Sequence, residues 1–178
     1  NALSNTVNAS VSGKDRILFE TYIQMIYFER IINRANVRLM KMSNGQFDLI
    51  RKVDAENKRS QSGLELDIID HYNGTTRSVK TLSGGESFMA SLALALGLAD
   101  EIQCSASGIQ LDTMFIDEGF GTLDSELLET VMRALHGLTE GNKLVGIISH
   151  VDGLKDKITN QIIVTKDSAN GSSLQVVS

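Results

Sequence analysis

The sequence predicts an α/β fold in which a mainly parallel sheet is flanked by helices. From residue 85 onward, short apolar runs alternate with longer runs whose apolar residues recur at helical spacing. Short, continuous apolar strands joined by helices are typical of a parallel sheet that is covered on both faces. The length of 178 residues, with 42% hydrophobic and 22% charged side chains, is sufficient for one domain with a buried core.

A long helix opens the predicted fold. Residues 14–42 contain no Gly or Pro and repeat apolar side chains every three or four positions. The segment 43–45, with the sequence Ser-Asn-Gly, should end this helix. Arg30, Arg34 and Arg38 recur every four residues, which places their guanidinium groups along one face.

Two strands that form a β-hairpin are predicted next, over 47–53 and 64–69. The second strand alternates apolar with acidic side chains, as a half-buried strand does. An Asn-Gly turn at 73–74 follows. The α/β part is then predicted to contain helices over 85–100 and 124–138 and strands over 113–116, 144–148, 161–165 and 174–177.

The net charge of −5 is distributed unevenly along the chain. Residues 1–60 hold 10 Lys and Arg against 6 Asp and Glu, whereas the remainder holds 7 against 16. This asymmetry directs any nucleic-acid contact to the first third of the chain. A solvated helix face followed by a polar hairpin explains the same charges, so both interpretations stay open. The cations concerned are Arg30, Arg34, Arg38, Lys41, Arg51, Lys52, Lys58 and Arg59.

The composition excludes several classes of protein. The absence of proline excludes Pro-rich and collagen-like chains. A single cysteine, Cys104, cannot form an internal disulfide, which fits a reducing compartment and equally fits a lone buried thiol in a secreted protein. The longest nearly continuous apolar stretch, 88–99, has about 12 residues, whereas a membrane-spanning helix needs about 20. We therefore expect a soluble, cytoplasmic protein with no membrane partner. Since residue 1 is Asn, we also expect the chain to begin inside a longer or processed polypeptide.

Two adjacent acids, Asp117 and Glu118, follow the apolar strand 113–116. Ligands of open parallel sheets bind at the carboxyl ends of the strands. Phosphoryl-transfer ATPases use one acid there to hold Mg²⁺ and a neighbouring acid to orient or deprotonate the attacking water. A strand that simply ends in a polar turn is the structural alternative.

The segment 83–86, with the sequence Ser-Gly-Gly-Glu, opens the helix that follows the Asn-Gly turn. Ser83 and Glu86 have the spacing of a capping box, which satisfies free N–H groups at a helix start. Capping does not explain Gly84 and Gly85, which each weaken a helix by roughly 1 kcal/mol against Ala. Two glycines at the positive end of the helix dipole expose N–H groups that a phosphate can approach. Capping and phosphate binding are both open interpretations.

Two further polar residues lie at ends of elements. His150 follows the apolar strand 144–148, where a polar terminus is common, and Asp124 precedes a helix as an ordinary N-cap would. The chain thus contains four candidate functional signals. In chain order they are the Ser-Gly-Gly-Glu segment, the acids at 117–118, Asp124 and His150.

These signals resemble the motifs of the ABC ATPase superfamily. Segment 82–86 is similar to its signature motif, 114–118 to its Walker B strand and 121–124 to its D-loop, and His150 is similar to its switch histidine. The longer strings 78–86, 113–124 and 145–151 resemble the SbcC branch, whose members are ATPase subunits of the bacterial SbcCD nuclease and are akin to SMC proteins. The resemblance covers about residues 15–166.

The resemblance implies a role for each motif residue. Asp117 would lie in the Mg²⁺ environment, Glu118 would activate the hydrolytic water and His150 would sense the γ-phosphate of ATP. Residues 83–86 would bind ATP held by the opposite subunit of a head-to-head dimer, and Asp124 would lie at that dimer interface. ATP and Mg²⁺ are thus the expected cofactors.

The sequence does not contain the phosphate-binding loop that such a site needs. Its Gly-Lys pair at 13–14 has Asn8 where the first Gly of the loop should be and Asp15 where Ser or Thr should be. In the family, the Walker A lobe lies at the amino end, beyond a long coil. The resemblance therefore implies a carboxyl-terminal ATPase lobe over 13–178 and a coil-to-head junction over 1–12, inactive without the other lobe.

The implied partners are the amino-terminal Walker A lobe, a second SbcC head, an SbcD-type nuclease subunit and double-stranded DNA, in a DNA repair complex. Two alternatives are an ABC transporter ATPase and a non-catalytic DNA clamp or dimerisation module. Transporters usually carry Gln at the position of Glu86 and Pro after the Walker B acids, where this chain has Gly119. Both differences favour the SbcC branch.

Overall fold

The fold is that of a mixed α/β domain with a long leading helix. The computed structural model describes residues 19–52, 64–105, 111–139, 143–167 and 171–178. The predicted junction over 1–12 and the predicted helical residues 14–18 lie outside this part of the chain. The helices are α1 (Phe19–Met42), α2 (Gly84–Ser105), α3 (Ser125–Thr139) and α4 (Asp152–Lys155). The strands are β1 (Phe47–Arg51), β2 (Leu66–Asp70), β3 (Thr75–Ser78), β4 (Thr113–Asp117), β5 (Leu144–Ile148), β6 (Gln161–Asp167) and β7 (Gly171–Val177).

Helix α1 ends where the sequence predicts. The N–H of Ser43 donates to Leu39 O at 2.7 Å, and the N–H of Gly45 donates to Met40 O at 2.7 Å. Gly45 has φ +81°, a left-handed conformation that closes a helix without strain in a glycine. These bonds satisfy carbonyl groups near the end of the helix, so the chain can turn into β1.

Helices α1 and α2 approach each other closely. A Cβ placed on Gly97 of α2 would lie 2.7 Å from Ile31 O and 2.8 Å from Ala35 N of α1. Ala35 and Leu39 are fully buried at this contact. Because backbone atoms occupy the space that a side chain at position 97 would need, only glycine allows this helix spacing.

Ion pairs extend the contact between these helices. Arg30 Nη1 and Arg34 Nε donate to the Glu101 carboxylate at 3.2 Å and 2.7 Å. Arg38 Nη1 lies 2.6 Å from Asp100 Oδ2. The predicted row of three arginines is therefore present, and it faces carboxylates of α2 within the chain.

The first sheet is antiparallel and has three strands, ordered β1-β2-β3. Phe47 pairs with Asp70, and Asp67 pairs with Ser78. The predicted hairpin is present, although β1 is shorter than predicted and β2 covers 66–70. β3 is an addition to the predicted fold. The Asn36 side chain joins α1 to β1, since its amide donates to Leu49 O and accepts from Leu49 N, both at 2.9 Å.

The second sheet is the parallel pair β4-β5, in which Thr113 lies opposite Leu144 and Asp117 opposite Ile148. Its inward face packs on the core, and its outward face is exposed: Phe115 retains 71% of its accessible surface. The described residues therefore cover one face of the pair, whereas the sequence predicts a sheet covered on both faces. β6 and β7 form a separate antiparallel hairpin, with exposed apolar side chains at Ile162, Val164, Leu174 and Val176.

Helix α2 lies at the centre of the core. Met89, Ala93 and Leu96 are buried, and the cluster continues through Val131 and Leu135 of α3. By length and composition, α2 is the one described helix that could span a membrane. Its contacts with α1 and the ion pairs of its last two turns are instead those of a core helix.

Candidate functional site

The two acids at the end of β4 lead into a left-handed turn. Asp117 is the last residue of β4, Glu118 has φ +62° and Gly119 has φ +96°. A left-handed conformation in a non-glycine residue costs of order 1–3 kcal/mol and persists only where the surrounding structure holds it. The N–H of Glu118 donates to Ile148 O of β5 at 2.9 Å. Glu118 is thus held at the carboxyl edge of the parallel pair by a backbone bond to the neighbouring strand.

The structure brings Glu118 and His150 together, although 32 positions separate them. His150 Nδ1 lies 3.0 Å from Glu118 Oε2 and 3.1 Å from Oε1. The contact follows from the register of the sheet, because the loops after parallel neighbours begin side by side. The side chains of His150 and Glu118 are 81% and 49% exposed respectively, so both remain open to solvent and to a ligand.

The Ser-Gly-Gly-Glu segment forms the predicted capping box. Ser83 N donates to Glu86 Oε2 at 2.7 Å, and Glu86 N lies 3.4 Å from Ser83 Oγ in the reciprocal bond. A Cβ on Gly85 would lie 2.6 Å from Leu127 Cδ2, and one on Gly84 would lie 3.1 Å from Thr122 Cβ. Close packing against Leu127 and Thr122 therefore favours glycine at both positions. Neither capping nor phosphate binding, the two interpretations of the sequence, includes this reason.

Asp124 caps α3 as predicted. Its Oδ1 accepts from Leu127 N at 2.8 Å, and its carbonyl accepts from Leu128 N at 2.9 Å. The side chain is exposed. Because Thr122 touches Gly84, the segment 121–124 lies beside the start of α2, and two of the predicted motifs share one surface.

Sequence reasoning missed Arg77, which supports this surface from β3. Its Nη1 donates to Thr81 O at 3.0 Å and to Thr81 Oγ1 at 2.8 Å. Its Nη2 lies 3.7 Å from Glu86 and 3.8 Å from Asp70. These contacts hold the short segment between β3 and α2. The nearby turn at 73–74 is the one signal that could have placed Arg77 on a strand.

Phe88 is the second residue that sequence reasoning missed. Its ring lies 5.0 Å from that of Phe120, centroid to centroid, and against Gly119. In the sequence it is one more apolar residue of a core helix. Nothing in the helical pattern distinguishes it from its buried neighbours.

The donor groups at the end of β4 suit Mg²⁺. Asp117 offers an exposed carboxylate at the strand end, and Mg²⁺ in nucleotide sites is commonly held by one or two carboxylates together with phosphate oxygens and water. Within the described ranges, no group of three His, Cys, Asp or Glu side chains converges as a metal site. A Mg²⁺ ion at Asp117 would therefore be held by fewer than three such side chains of the described residues, with phosphate oxygens or water as its other ligands.

The fold is of the P-loop, ABC-like class of ATPase heads: a parallel strand ends in two acids, a histidine follows the neighbouring strand and two glycines open α2. The fold agrees with a solved structure described as "Structural biochemistry of ATP-driven dimerization and DNA stimulated activation of SMC ATPases". That structure superposes with a TM-score of 0.65 at 20% identity and covers 89% of each chain. The chain thus has the fold of SMC ATPase heads.

The family within this class is also defined. Residues 53–137 match the family model described as SbcC/RAD50-like, Walker B motif. The SbcC subunit of the nuclease SbcCD from Staphylococcus haemolyticus is 45% identical over 159 residues, which is 88% of this chain and 16% of that protein. The same-named protein of Lactococcus lactis is 39% identical over 180 residues, or 99% of this chain and 17% of that protein. The chain belongs to the SbcC/RAD50-like family, and it spans about one sixth of the length of these relatives.

Proposed function

We propose that this chain is the carboxyl-terminal lobe of the ATP-hydrolysing head of an SbcC-type DNA repair protein, with the lobe over 13–178 and a coil-to-head junction over 1–12. The contact between Glu118 and His150 carries the proposal. It places an acid and a histidine 3.0 Å apart at the carboxyl edge of a parallel sheet, exposed and beside two adjacent motif segments. A strand that merely ended in a polar turn would not need a left-handed glutamate.

Glu118 orients and deprotonates the water that attacks the γ-phosphate of ATP. The carboxylate is exposed, and its backbone is fixed by the bond from its N–H to Ile148 O. His150 holds the carboxylate in place and contacts the γ-phosphate. A positioned general base contributes typically 10²–10⁴-fold to the rate. Asp117 holds Mg²⁺, which when bound neutralises charge on the phosphates.

A second head and its nucleotide are contacted by residues 83–86 and by Asp124. Residues 83–86 at the start of α2, of which Ser83 and Gly84 are exposed, bind the γ-phosphate of ATP held by a second head, and Asp124 lies at the interface between the heads. The adjacency of Gly84 and Thr122 supports this assignment, because it places both segments on one surface. ATP then joins two heads, and hydrolysis releases them. This cycle controls a nuclease partner of the SbcD type.

The amino-terminal Walker A lobe of the same polypeptide covers the outward face of β4 and β5. Phe115, Leu144 and Ile148 are all more than half exposed on these two strands. Apolar side chains clustered on an otherwise regular sheet favour burial by a further layer. That lobe supplies the phosphate-binding loop that the chain does not contain. Turnover by this chain alone is therefore expected to be negligible.

Double-stranded DNA is the substrate of the complex, which acts in the cytoplasm and binds DNA independently of its sequence. Arg30, Arg34 and Arg38 pair with Glu101 and Asp100, which offsets the positive charge that this row would offer to phosphates. DNA binding is expected to weaken steeply with salt.

Coexpression of the amino-terminal lobe with this chain tests the proposal. Glu118→Gln should lower ATP turnover by about 10²–10⁴-fold and leave ATP binding intact, since only the proton acceptor is removed. Glu129→Gln is the matched control, because it neutralises an exposed glutamate of α3 that pairs with Lys157. Unchanged turnover in Glu118→Gln would disprove the assigned role. Substantial turnover by this chain without its partner lobe, abolished by Asp117→Ala, would disprove the split site.

A further inference from the structure

We propose that Phe88 is a positioning residue for Glu118 and that it couples the start of α2 to the hydrolytic acid of the same chain. The inference rests on the proposed role of Glu118 in hydrolysis. It concerns a side chain that touches neither nucleotide nor water in that proposal and acts through the backbone of the turn after β4.

Phe88 packs directly against the left-handed turn. A Cβ on Gly119 would lie 2.5 Å from Phe88 Cε2 and 2.7 Å from Cδ2, so the ring occupies the space beside the glycine. The next residue, Phe120, is fully buried, and its ring lies 5.0 Å from that of Phe88 at an interplanar angle of 56°. Both residues that follow Glu118 are therefore in contact with one ring of α2.

This contact supplies the restraint that a left-handed glutamate needs. Glu118 is held on one side by the bond to Ile148 O at 2.9 Å and on the other by the packing of Gly119 and Phe120 on Phe88. The Glu118 side chain is half exposed and its partner His150 is mostly exposed, so neither is fixed by burial. The backbone turn therefore helps to determine where the carboxylate lies, together with the contact to His150.

Phe88 also lies close to the segment proposed to bind ATP of the second head. It follows Glu86 by two residues, within the first two turns of α2. Gly84 and Gly85 of the same helix start touch Thr122 and Leu127, which lie just beyond the turn. A shift of the start of α2 on engaging a nucleotide is thus transmitted by packed atoms to Glu118.

The test uses the full-length protein and measures kcat and KM for ATP together with the thermal midpoint. Phe88→Ala should lower kcat about tenfold or more while KM changes less than about twofold, because a small misplacement of a catalytic group is costly. Phe88→Leu, which keeps an apolar side chain against Gly119, should restore most of the activity. Leu135→Ala is the control, since it removes a buried side chain near the far end of α3 and should lower the thermal midpoint without lowering kcat.

A double-mutant cycle with Gly119→Ala isolates the contact itself. The left-handed strain of alanine at position 119 is the same in both backgrounds, whereas the clash with the ring exists only with Phe88 present. The loss of kcat caused by Gly119→Ala should therefore be smaller in the Phe88→Ala background.

Two results would overturn the inference: an unchanged kcat in folded Phe88→Ala, or kcat losses that multiply independently in the cycle. Glu118→Gln, assayed beside them, separates the two proposals. If it abolishes turnover while Phe88→Ala does not affect kcat, the positioning role alone fails. If it leaves turnover intact, the proposed function fails.

Discussion

Arg34 and Glu101 join α1 to α2 through a hydrogen bond of 2.7 Å from Nε to Oε2. The Glu101 side chain is only 6% exposed, and it accepts further bonds from Arg30 and Ser105. The hydrogen bond from Arg34, followed by that from Ser105, lowers the pKa of Glu101 from its ordinary value of 4.5. The same bond raises the pKa of Arg34. A buried carboxylate with three donors is therefore the polar centre of the helix pair.

The first prediction concerns acid stability. Because the folded-state pKa of Glu101 is depressed, its stabilisation is complete above the ordinary carboxyl pKa of 4.5 and is lost as the pH falls through the lower, folded-state pKa. Glu101→Gln should lower the thermal midpoint of the assembled head at neutral pH and reduce its further decline in acid. Thermal denaturation at a series of pH values measures both effects.

Asp152→Asn provides the control for this prediction. The hydrogen bond from Lys155 also lowers the pKa of Asp152, but that side chain is 89% exposed and solvent screens the pair. Its substitution should leave the midpoint nearly unchanged. An acid profile of Glu101→Gln that matched the unsubstituted protein would contradict the assignment.

The second prediction compares two helical glycines. Gly97→Ala should destabilise the head by about 1–3 kcal/mol, because the new methyl group would meet backbone atoms of α1 that cannot rotate away. Gly137→Ala on α3 meets nothing within 4 Å and should stabilise it by about 0.5–1 kcal/mol. Denaturant midpoints give both values. A Gly97→Ala protein as stable as the unsubstituted one would show that α1 and α2 are not in close contact.

The third prediction concerns Arg77. Arg77→Ala should weaken ATP-dependent head dimerisation by about 10–100-fold, the equivalent of a lost hydrogen bond to a charged group. The physical reason is that Arg77 holds Thr81 and lies beside Glu86 of the segment proposed to bind the second nucleotide. Arg77→Lys should not restore dimerisation, because an ammonium group cannot replace the planar donor fork.

Sedimentation at several protein concentrations with and without ATP measures this dimerisation. Arg133→Ala removes an exposed arginine of α3 and serves as the control for the lost charge. Dimerisation of Arg77→Ala at the unsubstituted level would rule out the supporting role.

The fourth prediction separates two roles of Asp124. Asp124→Ala should cost about 1 kcal/mol through loss of the bond to Leu127 N, whereas Asp124→Asn keeps a capping oxygen and should retain stability. If Asp124 also lies at the interface between heads, Asp124→Asn should reduce ATP-dependent dimerisation despite its unchanged thermal midpoint. Full dimerisation by Asp124→Asn would leave the residue with its capping role alone.

Local signals account for what the sequence predicts correctly. The bounds of α3 and β5 follow from a capping aspartate and short apolar runs, and the recognition of the SbcC family from its motifs is confirmed by the family model and the relatives. β3 was not predictable in this way, because residues 75–78 are polar and owe their strand conformation to pairing with β2. Strand structure there depends on a partner, and the Asn-Gly turn at 73–74 is its one local signal.

The motif residues of the candidate site were predictable from the sequence, whereas Arg77, Phe88 and the geometry of the site were not. The sequence placed Asp117, Glu118 and His150 at strand ends, and parallel pairing brought the last two together. The left-handed turn at Glu118 and the packing of Gly85 on Leu127 depend on tertiary contacts. The arginine row of α1 was likewise predicted without its partners on α2, since these lie far along the chain from it.

The exposed face of β4 and β5 bears on how such a chain reaches its folded state during synthesis. Strands with an apolar face and unpaired edges can add a strand from another copy, which makes them prone to aggregation while they are uncovered. In the split head proposed above, the Walker A lobe leaves the ribosome first and is already tethered nearby when Phe115 and Leu144 emerge. In that proposed head, the long coil between the two lobes would keep the covering lobe close to these strands and so protect them from other copies. This lobe, expressed separately, would need a coexpressed partner to remain monomeric.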